Sequence, residues 1–173
     1  LDEGDVLVSS ILIKKGNDCM VVTRKGRGLR FADDDVRAMG RASRGVIGIK
    51  LTDGDSVVGL MKVNPEKRML LVTEKGQGKQ VEFDQFKRHN RATMGQKIYT
   101  FRDKTGYLVG TLAVSDEDDL VCITANGQSI RVPVETISIQ GAYASGVAVA
   151  RLREDDTIVA IARTEAESEE EEE

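Results

Sequence analysis

The chain repeats itself, and this limits its fold more than any other property does. "VVTRKGRGLRF", Val21 to Phe31, returns as "LVTEKGQGKQV", Leu71 to Val81, and more faintly as "CITANGQSIRV", Cys122 to Val132. Gly26, Gly76 and Gly127 follow one another at steps of 50 and 51 residues, as do Gly45, Gly95 and Gly146. Further landmarks, Val58-Gly59, Val109-Gly110 and Val159-Ala160, follow at 51 and 50. A fixed period of this length marks a unit that cannot bury its apolar face alone and is stabilised by stacking on copies of itself.

Within each repeat the apolar residues form short β-branched runs broken by Gly, Asp or Asn. In the first repeat these are "CMVVT", "GLRF", "GVIGIKL" and "SVVGLMKV", which by length and composition are four strands. "KGRG", "KGQG" and "ANGQS" fall between the first two strands of their repeats, where Gly supplies the positive φ of a tight hairpin. Residues 32–44 are polar and Arg-rich. They are too long for a hairpin and predict a surface connection that crosses between strands.

Four short strands at a period of about 50 residues predict an all-β, propeller-like array of four-stranded blades. "DVLVSSILI" at 5–13 aligns with "DSVVGLMKV" at 55–63. The chain therefore divides into the end strands of a preceding blade at 1–13, blades at 14–63, 64–114 and 115–164, and an acidic tail at 165–173. The tail is expected to be disordered. Closed propellers use about four to eight blades, so a partial array, continuing on the N-terminal side, is expected.

Of the 173 residues, 40% are hydrophobic, enough for one sizeable core or a row of small ones. No apolar run approaches the roughly 18 residues of a membrane span, and no secretory pattern opens the chain. Cys19 and Cys122 occupy non-equivalent positions in their repeats and have no metal-ligand spacing. They read as reduced thiols of a cytoplasmic protein. The net charge of −4 hides an asymmetry: Lys14 to Arg102 carries 20 basic against 10 acidic residues, and Asp103 to Glu173 carries 5 against 16. A basic body with an acidic end is the pattern of a protein with a polyanionic partner.

No catalytic set is visible. The glycine-rich turns lack the long loop, the Lys-Ser/Thr pair and the following helix of a phosphate loop. Asp33 to Asp35 and "DEDD" at 116–119 lack calcium-loop spacing and a His partner, and read as solvated turn carboxylates. His89, the one histidine, has no partner in a shared motif. The chain is expected to need no metal and no cofactor.

Basic residues, in contrast, recur. Lys25, Arg27 and Arg30 mark the first hairpin, and Arg37, Arg41 and Arg44 the crossing loop. Lys75, Lys79, Lys87, Arg88 and Arg91 repeat the arrangement, with Lys25 matching Lys75, Arg37 matching Lys87 and Arg41 matching Arg91. Equivalent residues of stacked repeats fall at equivalent points of a rim, so these eleven predict a stripe that neutralises successive phosphates of double-stranded DNA without reading its sequence. In the third repeat Ser138 and Ala142 replace the loop bases and Arg131 remains, so binding is expected to fade there.

The words "MGRASRGVIGIKL", "GDSVVGLMKV", "LLVTEKGQGKQV", "RATMGQKIYTF", "ISIQGAYASGVAVARL" and "DDTIVAIAR" resemble those of the C-terminal domains of bacterial DNA gyrase A subunits, over residues 5–164. The resemblance implies a β-pinwheel whose neighbouring blades exchange strands and whose basic rim wraps DNA. It implies a positive DNA crossover used for ATP-dependent negative supercoiling, together with the B subunit of gyrase and the rest of its A subunit. It also implies that the nucleophilic Tyr and the ATPase lie elsewhere, so that the domain alone is not an enzyme. The family's Gln-Arg-Arg-Gly-Gly-Lys-Gly box is absent; "RASRG" and "RATMG" are its degenerate counterparts. The alternatives are the similar domain of topoisomerase IV and a kelch-like protein-interaction propeller, whose repeat is also about 50 residues. The tail carboxylates Glu165, Glu167, Glu169, Glu170, Glu171, Glu172 and Glu173 read either as a solubilising end or as a regulatory competitor for the rim.

Overall fold

The structure, a computed structural model, describes residues 18–32, 54–86, 95–103 and 105–165. Each copy of the repeated phrase is a hairpin: β1 (Asp18–Thr23) with β2 (Arg27–Ala32), β4 (Arg68–Thr73) with β5 (Gln77–Val81), and β8 (Asp118–Thr124) with β9 (Ser129–Pro133). The repeated spelling has a local cause. Gly26, Gly76 and Gly127 take φ values of 85°, 88° and 87°, a region that strains any residue with a Cβ. Three residues earlier, the hydroxyls of Thr23, Thr73 and Thr124 accept the backbone N–H of Arg27, Gln77 and Gln128 at 3.0, 3.1 and 3.1 Å. The Thr and the Gly together fix the turn, which is why both recur while the residues between them vary.

Each repeat then adds a long strand to its own hairpin: β3 (Val57–Lys62) to β1, β7 (Leu108–Val114) to β4, and β11 (Ile158–Glu165) to β8. The predicted third strand is different. In the second and third repeats it is two residues long, β6 (Gln96–Lys97) and β10 (Val147–Ala148), and each lies in the preceding repeat's sheet. The orders are β3-β1-β2-β6, β7-β4-β5-β10 and β11-β8-β9. Ile98 and Val149, just beyond the exchanged strands, donate their N–H to Gly26 and Gly76 oxygens at 2.8 Å each. Among the described residues β9 has no outer neighbour.

β3 packs on β7 and β7 on β11, so the long strands lie inside and the exchanged strands outside. The hairpin strands of the first two sheets are buried on both faces. Along β4, Met69 and Leu71 pack with Met20 and Val22 of the first sheet, while Leu70 and Val72 pack with Leu120 and Cys122 of the third. All are inaccessible to solvent, each contributing about 1.5–3 kcal/mol relative to exposure. This explains why "MLLV" is a continuous apolar run instead of an alternating one. The third sheet is covered on one side: Leu120 and Cys122 are buried, but Ile123 is 42% exposed.

A polar clamp repeats across the two seams. Arg30 Nη1 donates to the Phe83 and Phe86 oxygens at 3.0 and 3.3 Å, around the 3-10 turn Phe83–Gln85. Gln80, its counterpart, donates to the Val134 and Ile137 oxygens at 3.0 and 2.8 Å, around the turn Val134–Thr136. In each case a long donor of one repeat ties down carbonyls of the next, and the Phe83 and Val134 oxygens also accept the N–H of Phe86 and Ile137 within their own turns, at 3.1 and 2.9 Å.

Candidate nucleic-acid interface

Of the eleven basic residues read as the rim, Arg37, Arg41, Arg44, Lys87, Arg88 and Arg91 lie outside the described residues. The other five fall into two groups. Lys25 and Arg27 sit at the tip of the first hairpin, half-buried, and Lys75 is exposed at the tip of the second. Lys25 lies 5.9 Å from the Tyr107 ring centroid, and Lys75 Nζ donates to the Asp103 oxygen at 2.6 Å.

Arg30 and Lys79 require a correction, because both hold the fold together. Arg30 Nε donates to Asp18 Oδ2 at 2.8 Å while Nη1 makes the clamp, leaving the side chain 23% exposed. Lys79 is fully buried. Its ammonium donates to the oxygens of Gly141, Ala142 and Ala144 at 2.8, 3.0 and 2.9 Å and stands 4.7 Å from the Tyr99 ring centroid. Three acceptors use all three of its protons, so it has none for a phosphate. Burial lowers its pKa to about 8. A sequence signal existed: Lys79 is in register with Leu29 and Ile130, and Leu29 is buried.

Lys79 organises the crossing loop of the third repeat, Ser138 to Gly146. Tyr99, buried beneath the same loop, donates its hydroxyl to the Ser145 oxygen at 2.6 Å, and burial raises its pKa. Arg102 Nε donates to Ser145 Oγ at 3.1 Å. The loop presents Tyr143, 70% exposed, at its outer surface. Tyr99, Tyr107 and Tyr143 thus serve packing or solvent.

Several cations were missed by pattern reading. Lys97 is exposed on the outer strand β6, directly opposite Arg27. Arg24 pairs with Glu74 at 2.8 Å, across the seam between repeats, and lies 4.6 Å from the Tyr107 centroid. Arg102, Arg151 and Arg153 are exposed. No repeated neighbour in the sequence marked them, because the matching positions in the other repeats are not all basic.

The acidic run at 116–119 points its carboxylates apart. Asp116 meets Arg68 at 2.9 Å and Asp119 meets Arg131 at 2.6 Å. Asp118 is buried, which disfavours its charge, but the Ser115 N–H and Arg163 outweigh this and lower its pKa. Cys19 and Cys122 are buried and are not joined in a disulfide, and burial raises the Cys122 pKa to about 11. Glu165 closes β11 opposite Asp118, and Glu167 and Glu169 to Glu173 lie outside the described residues. Among the described residues no helix is long and apolar enough to cross a membrane.

The three hairpin units coincide with three consecutive matches, at residues 17–64, 67–115 and 118–165, to the family described as DNA gyrase C-terminal domain, beta-propeller. The chain belongs to this family. It is 37% identical over 165 residues to the DNA gyrase A protein of Kosmotoga olearia, covering 94% of this chain and 20% of that protein. It is 34% identical over 171 residues to the gyrase A protein of Mycolicibacterium smegmatis, covering 98% and 20%. The chain thus spans about a fifth of the length of these relatives. A solved gyrase A C-terminal domain superposes with a TM-score of 0.77 at 28% identity, over 87% of this chain and 52% of that one. The C-terminal domain of a DNA topoisomerase IV superposes with a TM-score of 0.76 over 90% and 49%, at 20% identity, a likeness of fold. Membership agrees with the propeller-like array expected from the repeats and with the β-pinwheel that the resemblance implies, and among the described residues the three sheets are not closed into a ring.

Proposed function

We propose that this chain binds duplex DNA along its outer edge, without reading base sequence, as part of the DNA-wrapping module of a gyrase A protein. The observation that carries the reading is membership of the gyrase A C-terminal family by a chain whose first and second hairpin tips and first outer strand present Lys25, Arg27, Lys75 and Lys97. Arg41 and Arg91 of the crossing loops belong to the same proposed surface. In the whole protein, the bent segment would be presented as a positive crossover for ATP-dependent negative supercoiling, with the gyrase B protein supplying the ATPase, in the cytoplasm. The domain itself would need no cofactor, and its tail, Glu165 to Glu173, would compete with phosphates at low salt.

Two measurements test this. Duplex affinity of the full chain should fall with salt at a log–log slope of several units, about −0.9 for each phosphate neutralised. A slope near zero contradicts the reading. Arg41→Glu combined with Arg91→Glu should weaken binding by at least about tenfold while leaving the folded spectrum intact, two reversed charges each removing one phosphate contact or more. Wrapping is read separately, by sealing a nicked circle in the presence of the chain and measuring the linking number. A positive shift means that these repeats alone impose a chiral path. Binding without a shift limits them to supplying a basic surface.

A further inference from the structure

The outer strand of the first sheet contains an arrangement that its own stability does not explain. β6 makes two ladder pairs with β2, Gln96 with Gly28 and Lys97 with Arg27. Side chains directly opposite in an antiparallel pair project to the same face with Cβ atoms about 4.5–5.5 Å apart, and like charges there repel. Half of this short ladder is therefore electrostatically unfavourable. No ion pair or side-chain hydrogen bond of Arg27 or Lys97 relieves it among the described residues.

The fold does not require the two charges. At the equivalent place in the second sheet, β10 pairs Ala148 with Gln77, a neutral couple on the same two-residue ladder. What holds β6 in position is the next residue: Ile98 is buried and donates its N–H to the Gly26 oxygen at 2.8 Å. The Arg27 N–H is likewise fixed by the Thr23 hydroxyl at 3.0 Å. Two cations are thus held side by side by backbone that other groups immobilise, on the outer edge of the array, with Lys97 open to solvent.

We infer that Arg27 and Lys97 form a binding site for one backbone phosphate of duplex DNA, an inference that rests on the DNA-binding reading above and adds Lys97 to it. A guanidinium offers paired N–H donors to two phosphate oxygens, and an ammonium beside it offers a compact charge to the third side. Both groups reach the anion without reordering the backbone, and the anion converts their mutual repulsion into attraction. The repulsion in the free chain and the affinity for phosphate have the same origin. The site therefore predicts that one substitution moves stability and binding in opposite directions.

The test compares Lys97→Glu, Lys97→Gln and, as a control, Lys67→Gln in the turn between β3 and β4, all in the full chain. Without DNA, Lys97→Glu is expected to raise Tm by about 2 °C, because a cross-strand ion pair replaces a like-charge pair. On a short duplex, Lys97→Gln is expected to lower affinity about eightfold at about 0.1 M salt and reduce the salt slope by about 0.9, the signature of one lost phosphate contact. Lys97→Glu should lower it further, and Lys67→Gln should leave the slope in place. An unchanged slope in Lys97→Gln, with wild type binding normally, overturns the site while leaving the DNA reading intact. If wild type itself shows no salt-dependent duplex binding, the DNA reading fails and tripolyphosphate serves as the probe. A Tm rise in wild type that Lys97→Gln abolishes keeps an anion site at this pair, and equal shifts in both eliminate it.

Discussion

Lys79→Ala is expected to destabilise the protein by about 3 kcal/mol, and to do so without any direct effect on a phosphate contact. The Lys79 ammonium donates to the Gly141, Ala142 and Ala144 oxygens of the third repeat's crossing loop at 2.8, 3.0 and 2.9 Å, and of these the Gly141 and Ala144 oxygens also accept a backbone N–H, from Ala144 and Thr100 at 3.2 and 3.4 Å. Leaving a buried acceptor unsatisfied costs about 1–3 kcal/mol, and truncating the stem adds a cavity. Chemical denaturation would measure the loss. A change below about 1 kcal/mol would mean that water replaces the ammonium at little cost.

The same residue gives a pH dependence with a definite sign. Burial lowers the Lys79 pKa from its ordinary 10.5 to about 8, so between those values the unfolded chain holds a proton that the folded chain has released. Stability therefore rises as pH increases through this window and is lost as pH falls through 8. The neutral amine is the easier form to bury, although the three carbonyls and the Tyr99 face favour the charged form and limit the shift. The unfolding free energy of wild type minus that of Lys79→Met is expected to grow by on the order of 2 kcal/mol from pH 8 to 10.5. Taking the difference cancels the titration of Tyr99 and Cys122. A flat difference would assign Lys79 its ordinary pKa.

The second large effect is at a turn. Gly76→Val is expected to cost at least about 4 kcal/mol, and Gly127→Val about 1–2 kcal/mol, although the two glycines have nearly the same φ, 88° and 87°. The left-handed backbone penalises a side chain by roughly 1–2 kcal/mol in either place. At Gly76 a Cβ would also meet the Ala150 oxygen at 2.5 Å, whereas at Gly127 it meets nothing within 4 Å. The Ala150 carbonyl cannot withdraw freely, since Val149 and Ala150 both donate to the Gly76 oxygen, at 2.8 and 3.2 Å. Parallel melts of the two variants decide this. Equal losses would show that the close approach of the exchanged segment contributes nothing.

The hairpins were legible because their causes are local. A Thr hydroxyl reaches four residues ahead, a Gly supplies its own φ, and both are written within one short phrase. The stacking of repeats was legible from the period, whereas the crossing connection expected at residues 32–44 lies, beyond Ala32, outside the described residues. The site was legible in part. Lys25, Arg27 and Lys75 stand at hairpin tips as their position beside the turn glycine requires, but Arg30, a rim residue by its place in the repeat, clamps a seam. Its two carbonyl partners, on Phe83 and Phe86, are 53 and 56 residues away, beyond any local pattern.

By itself, then, the sequence determined the repeating unit, its turns and the sign of its charge, because those follow from backbone stereochemistry and composition over a few residues. Only the tertiary structure decided what each charge does. Lys79 and Lys97 are the same residue type in successive strands of one repeat. The first is covered by a loop of the next repeat and donates three hydrogen bonds within the fold, and the second is carried to the outer edge of the preceding sheet and faces solvent beside Arg27. Burial is set by which strands are exchanged between neighbours, and exchange is a property of the stacked array that no single repeat contains.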